Sequence, residues 1–236
     1  MKKACALSII IPTFNEAENI TSLINFLKKD DSHEFIEIII TDGGSTDDTI
    51  VVATSAGVTT VVSPIKGRGA QMNYGASFAK ADILYFLHAD SFPPAGYAGK
   101  IAEQVKNGYG IGCFRLQFET AHWFLKANAW FTRFDCNAFR FGDQSLFVLK
   151  DIFIKAGGFN EKLIVMEDQE IIYRLKKYSK FKIMPQAIIT SARKYTLNGI
   201  YKMQGIFFLI YFMYKIGTPQ NRLKALYRRL IKQDKV

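Results

Sequence analysis

Cysteine and histidine are scarce in this chain, with three of each in 236 residues. Cys5, Cys113 and Cys136 are odd in number and form no CxxC pair, which excludes a disulfide framework and a zinc cluster. Such usage fits a reducing compartment, and a cytoplasmic protein is expected. Long hydrophobic runs are also missing. Ile206 to Tyr214 is nine residues long, whereas a bilayer-spanning helix needs about twenty. At the N-terminus, the apolar stretch Ala4 to Ile11 is cut by Pro12-Thr13-Phe14-Asn15-Glu16 with no small-residue cleavage site after it, so no signal peptide is expected. No internal repeat, low-complexity tract or composition break divides the chain, and one domain over 1–236 is expected.

What the chain has is apolar content and positive charge. Hydrophobic residues make up 49%, enough to bury a full core. Lys and Arg total 31 against 21 Asp and Glu, and the net charge of +10 favours an anionic partner. No nucleic-acid-binding motif accompanies the charge, so nucleic acid is not the expected partner. Gly67-Arg68-Gly69-Ala70-Gln71-Met72 lacks the third glycine of a dinucleotide fingerprint, which argues against an oxidoreductase.

The first third alternates short apolar runs with helical periodicity. Leu7 to Ile11, Ile36 to Thr41, Val58 to Val62 and Ile83 to Leu87 read as strands. Helices are predicted from about Glu16, from about Thr46 and over about Ala70 to Ala79. In the first helix, Ile20, Leu23, Ile24 and Leu27 share a face, with Asn15 placed to cap and Glu18 three residues on. Ser45 and Asp48 stand in the same relation at the second. This alternation predicts a parallel, doubly wound sheet, whose ligand crevice lies outside the carboxyl ends of its strands. Asp42, Lys66 to Gly69 and Asp90 fall at those ends. Asp42 suits a base N–H, Arg68 a base or phosphate, and Asp90 a divalent ion bridging a diphosphate, although acidic residues at strand ends also serve as helix caps. Further strands are expected at Ile111 to Phe118, Ser145 to Leu149 and Ala187 to Thr190. Gln169 to Leu175 has helical spacing, placing Glu167 and Asp168 at a helix start that favours ionised carboxylates.

Three segments carry a resemblance: Ser8-Ile9-Ile10-Ile11-Pro12-Thr13-Phe14-Asn15-Glu16, Thr41-Asp42-Gly43-Gly44-Ser45-Thr46-Asp47 and His88-Ala89-Asp90. Together they resemble the family 2 glycosyltransferases of the GT-A fold. The similarity continues through Gly142-Asp143-Gln144, Glu167-Asp168 and Ser191-Ala192-Arg193. That narrower set resembles a bacterial, selenium-associated subgroup that includes selenosugar synthases. The fold implied is a Rossmann-like α/β domain, its mostly parallel sheet flanked by helices and followed by a C-terminal helical extension. Residues 1–110 would form the donor half, 111–195 the acceptor and catalytic half, and 196–236 the C-terminal helices.

The resemblance also implies roles. Pro12, Phe14 and Glu16 would border base and ribose, Asp42 would hold a uracil, and Arg68 would help hold the nucleotide. Asp90 would ligate a divalent ion, Mn²⁺ or Mg²⁺. His88 stands where the family usually has an acidic residue, leaving coordination to Asp90 and the donor's phosphates. Asp168 would be the general base of an inverting transfer from a nucleoside diphosphate sugar, with Glu167 beside it in the substrate site. Asp143 and Gln144 would hydrogen-bond sugar or acceptor hydroxyls. The acceptor would be small, selenophosphate being the specific candidate. Such an anion would be met by Arg193, with Arg115, Arg133 and Arg140 as further candidates. A lipid-phosphate acceptor and a noncatalytic sugar-nucleotide sensor are the alternatives.

Two features stay open. The aromatic set Trp123, Phe124, Trp130, Phe131, Phe134 and Phe139 is either a sugar platform or, for the most part, helical core packing. Beyond Pro219, Leu223, Leu226, Tyr227, Leu230 and Ile231 form a stripe ringed by Lys224, Arg228, Arg229 and Lys232. That helix either lies on anionic lipid or packs on the domain or on a second copy in a homo-oligomer.

Overall fold

The structure is a computed structural model and describes residues 7–29, 36–137, 140 and 144–232. Four short strands open the fold: β1 (Leu7–Thr13), β2 (Ile36–Asp42), β3 (Thr59–Val62) and β4 (Ile83–Phe86). They pair in parallel, β1 lying between β2 and β4, with Thr13 opposite Asp42 and Ile10 opposite Phe86. This is the arrangement expected from alternating apolar and amphipathic segments, since parallel neighbours need a crossover between them. The crossovers are α1 (Ala17–Lys28), α2 (Thr49–Ser55) and α3 (Arg68–Phe78).

The second half adds β5 (Ser91–Phe92), β6 (Ile111–Phe118), β7 (Leu146–Leu149) and β8 (Phe181–Thr190). The sheet order is β3-β2-β1-β4-β7-β6-β8-β5. Strand β7 runs antiparallel to both β4 and β6, while β6 and β8 are parallel. As a result the carboxyl ends of β6 and β8 point the same way as those of β1, β2 and β4. Strand β8 starts six residues earlier than the expected Ala187. Its pairing with β6 jumps from Met184 to Ala187, and the bulge absorbs Pro185, which has no N–H to give to a ladder.

Both faces of the sheet are covered, which is why β1 and β4 are apolar at nearly every position. On one face Ile9, Ile11, Tyr85, Phe114 and Leu116 pack with α1 residues Ile20, Leu23, Ile24 and Leu27. On the other, Ile10, Ile39, Leu84 and Phe86 meet Met72 and Ala76 of α3. Helix α3 sits so close that a Cβ on Gly75 would lie 2.3 Å from Thr41 Oγ1 and 2.6 Å from Ile10 Cγ2. The remaining helices are α4 (Tyr97–Lys106), α5 (Trp123–Phe131), α6 (Lys150–Lys155), α7 (Glu167–Leu175), α8 (Arg193–Asn198), α9 (Ile200–Lys215) and α10 (Gln220–Leu230).

Several local expectations are corrected. Asn15 does not cap α1; its Oδ1 accepts from Thr46 N (2.8 Å), tying the two loops after β1 and β2 together. Ser45 does not cap α2, because its hydroxyl is turned back onto Asp42. The aromatic set is not mainly core packing. Trp123, Trp130, Phe131 and Phe134 are exposed, since α5 docks on the sheet through the narrow side chain edge of Leu125. Phe139 lies outside the described residues. The stripe on α10 does face inward, with Leu223, Tyr227 and Ile231 buried in the larger core. Among the described residues, no helix is long and apolar enough to cross a membrane.

Candidate functional site

The ends of β1, β2 and β4 bring three loops together. Asp42 is fully buried there, and four donors from its own neighbourhood surround it. Its Oδ1 accepts from Gly44 N (2.8 Å) and Ser45 N (2.7 Å), and Oδ2 from Ser45 Oγ (2.5 Å) and Thr13 Oγ1 (3.1 Å). The carboxylate therefore shapes the Gly43 to Ser45 loop, with Gly44 at φ +92 making the turn. Beneath this loop, Gln71 Nε2 donates to the carbonyls of Thr13 (2.7 Å) and Thr41 (2.9 Å). This buried amide locks the first strand ends to α3, and sequence reading passed over it because a glutamine within a helix carries no signal of its own.

Pro12 and Phe14 stay half-exposed at the rim of the β1 loop. Glu16 is buried, with Oε2 accepting from Asn19 Nδ2 (2.8 Å) and Oε1 lying 3.8 Å from Arg193 Nη2. Arg193, the first residue of α8, is thus brought from far along the chain to the β1 loop. Asp90 and His88 are half-buried at the end of β4. The Asp90 carbonyl accepts from Ser191 N (3.2 Å), which joins this loop to the end of β8.

Arg68 begins α3, and Glu167 and Asp168 begin α7. Arg68 Nε donates to Glu167 Oε1, and Arg68 Nη2 lies 3.2 Å from Asp168 Oδ2. Glu167 is wholly buried, and its Oε2 has no partner among the described residues. Burial pushes its carboxyl above the ordinary range against the pull of the Arg68 guanidinium, and the Asp168 charge adds to the rise. Met166, in the left-handed region at φ 70, turns the chain so that both acids enter on the first turn of α7. Asp168 and His88 line one small cavity together with Cys113, Arg140 and Gln144. Burial raises the Cys113 thiol to about 12, so it stays protonated and is no nucleophile.

Two predicted site residues have their polar groups engaged in the framework. Gln144 is buried and its Nε2 donates to the carbonyls of Phe114 (3.3 Å) and Thr132 (3.4 Å). Arg140 pairs with Asp135 (2.5 Å) and lies over the Phe181 ring, which braces β8, while it also lines the small cavity and its Nη1 has no partner among the described residues. Asp143 lies outside the described residues. Among the described residues, no three His, Cys, Asp or Glu side chains come together as a metal cage. The described residues would fit a divalent ion as Mg²⁺-like chemistry uses it, through one or two carboxylates such as Asp90, with the rest supplied by phosphate and water.

A doubly covered, mostly parallel sheet that collects Asp42, His88, Asp90 and Asp168 at one end is the architecture of a GT-A glycosyltransferase. The family model described as Glycosyl transferase family 2 matches residues 8–161, and the chain belongs to that family. A mannosyltransferase from Pyrobaculum calidifontis, solved with GDP-Man and Mn²⁺, superposes with a TM-score of 0.71 at 15% identity, over 96% of this chain and 70% of that one. TarS 1-349 of S. aureus in complex with UDP gives 0.67 at 15% identity, over 85% and 64%. In sequence, the glycosyltransferase AglJ of Haloferax volcanii is 31% identical over 105 residues, 44% of this chain and 34% of its own length. Protein RfbJ of Shigella flexneri is 32% identical over 110 residues, covering 45% and 84%. The chain spans between a third and a half of the length of the first curated relatives it matches.

Proposed function

We propose that the chain transfers a glycosyl group, with inversion, from a nucleoside diphosphate sugar to a small acceptor. The observation that carries this reading is Asp168 at the start of α7, lining one cavity with His88 at the end of β4. Pro12 and Phe14, at the rim of the β1 loop beside the loop that the buried Asp42 shapes, would border the nucleoside, and Arg68 stands at the start of α3 with its guanidinium toward the acidic pair. In support, the solved neighbours carry UDP or GDP-Man, and a glucosyl-3-phosphoglycerate synthase of Mycolicibacterium smegmatis is 29% identical over 101 residues, 39% of this chain and 33% of its own length.

Asp168 accepts the acceptor's proton as the acceptor atom bonds to the anomeric carbon. On the opposite face the bond from that carbon to the diphosphate oxygen breaks, and the nucleoside diphosphate leaves with the electron pair. A divalent ion held by Asp90 would supply charge neutralisation on the diphosphate. An acceptor that arrives ionised, as selenophosphate would in forming a selenosugar, needs only positioning from Asp168.

Turnover tests the reading. With UDP-glucose, UDP-N-acetylglucosamine and GDP-mannose as donors, one should release its nucleoside diphosphate together with a glycosylated acceptor. Asp168→Asn should keep donor affinity and lose at least about a hundredfold in rate for an acceptor that must be deprotonated. An unchanged rate in a folded Asp168→Asn protein would remove the base assignment.

A further inference from the structure

Strand β6 alternates cleanly: Phe114, Leu116 and Phe118 enter the core, while Cys113, Arg115 and Gln117 face the other way. Cys113 lines the small cavity that holds Asp168 and His88. Two residues on, and about 7 Å further along the same face by strand geometry, Arg115 opens into a second, larger depression. This groove has a volume of about 630 Å³ between β6, α5 and the β8 bulge. It lies at the carboxyl end of the sheet, where Glu119 N donates to Thr190 O (3.1 Å) and Ser191 N to Asp90 O.

Its lining is cationic. Arg115, Lys126 and Arg133 all border it, and none of the three has an ion-pair partner among the described residues. Arg115 Nε is buried and has no hydrogen-bond partner among the described residues, a condition that normally costs stability unless a ligand answers it. Arg133 is held ready, with Nε on the Trp130 carbonyl (2.9 Å) and its guanidinium 4.3 Å over the Trp130 ring. That arrangement fixes the plane of the fork and leaves its outer N–H groups free to donate. The one acid on the lining, Glu119, already accepts from Ser191 Oγ (2.9 Å) and Ala192 N (3.0 Å).

We propose that this groove is the acceptor's anion subsite and binds a phosphate group through Arg115 and Arg133, with Lys126 adding charge. Two guanidinium forks match the geometry of phosphate oxygens, and among the described residues neither has an ion-pair partner. The inference rests on the glycosyl-transfer reading for its place in the reaction, since a phosphate seated here puts the rest of the acceptor toward Cys113 and the Asp168 cavity. Arg193, the first arginine expected for this task, lies with Nη2 3.8 Å from Glu16 Oε1 and does not border this groove. The phosphate could be borne by a soluble ester or by a lipid headgroup, and exposed Trp130, Phe131 and Phe134 border the same side.

The test is calorimetric titration of inorganic phosphate into wild type, Arg115→Gln and Arg133→Gln, with and without saturating UDP. A parallel arm measures sedimentation with vesicles containing phosphatidic acid. Phosphate or the vesicles should bind the wild type with UDP present, and each variant should weaken that binding by roughly tenfold, the loss of one charge-assisted contact. Binding of free phosphate alone identifies a soluble ester, and vesicle binding identifies a lipid headgroup. UDP affinity and the circular dichroism spectrum should not change. Equal phosphate and vesicle affinities in all three proteins, or no binding of either probe, overturns the subsite. Failure of UDP to bind overturns the donor reading instead, and the arm without UDP still decides the groove.

Discussion

Arg68 and Glu167 are ninety-nine positions apart in sequence and form one ion pair, with the guanidinium reaching on to Asp168 at 3.2 Å. The pair joins the start of α3 to the start of α7, the two helix ends that face the strand termini. It gives the wholly buried Glu167 a charge partner. It also presets the position of Asp168 before any ligand arrives.

Removing only the cation should therefore be expensive. Arg68→Met leaves a buried carboxylate without its partner and should cost about 3 kcal/mol of stability in urea denaturation. Adding Glu167→Gln should restore most of that loss, because the buried charge is then gone. If the double variant is as unstable as Arg68→Met, the pair is not what holds the two helix starts together.

The buried carboxyl also makes stability depend on pH. Glu167 titrates above its ordinary value of 4.5, so folding favours its protonated form. Its contribution is present below pH 4.5 and is lost as pH rises through the raised folded value. Glu167→Gln should flatten the stability profile across that window relative to wild type, measured by denaturation at a series of pH values. A profile identical to wild type would show that Glu167 titrates alike in the folded and unfolded chain and would contradict the raised value.

Close packing at Gly75 gives a purely structural prediction. The Cβ of Gly75→Ala would collide with Thr41 and Ile10, pushing α3 away from β1 and β2. The expected cost is about 2 kcal/mol. Because Gln71 and Arg68 ride on the same helix, donor affinity should fall along with stability. A neutral Gly75→Ala variant would mean that the helix can shift at no cost.

The first half of the fold was legible because its signals are local. Apolar runs separated by amphipathic segments give parallel strands, with Asp42 closing β2 and Asp90 following shortly after the end of β4. The second half was harder to read for identifiable reasons. Strand β5 is two residues long and exists only because β8 lies beside it. The early part of β8 is broken by Pro185, a strand-breaking residue that the bulge accommodates. At the site, the choice of Asp42, Asp90 and Asp168 came from motif order, whereas their engagements came only with three dimensions. Nothing in the sequence announces that Arg68 pairs with Glu167, that Gln144 bonds β6 and Thr132, or that Gln71 locks two strand ends. Each is a long-range contact between a common residue type and a backbone or charge far along the chain.

The most direct test of the account is calorimetric binding of UDP, UDP-glucose, UDP-N-acetylglucosamine and GDP-mannose, with and without Mn²⁺ or Mg²⁺, to wild type and Asp90→Asn. One sugar nucleotide should bind the wild type in a metal-dependent manner, and Asp90→Asn should weaken it by at least about tenfold, the scale of one lost charged contact. No binding of any sugar nucleotide under either metal would contradict the account and leave Asp42 and Asp90 as loop-shaping residues of a GT-A fold.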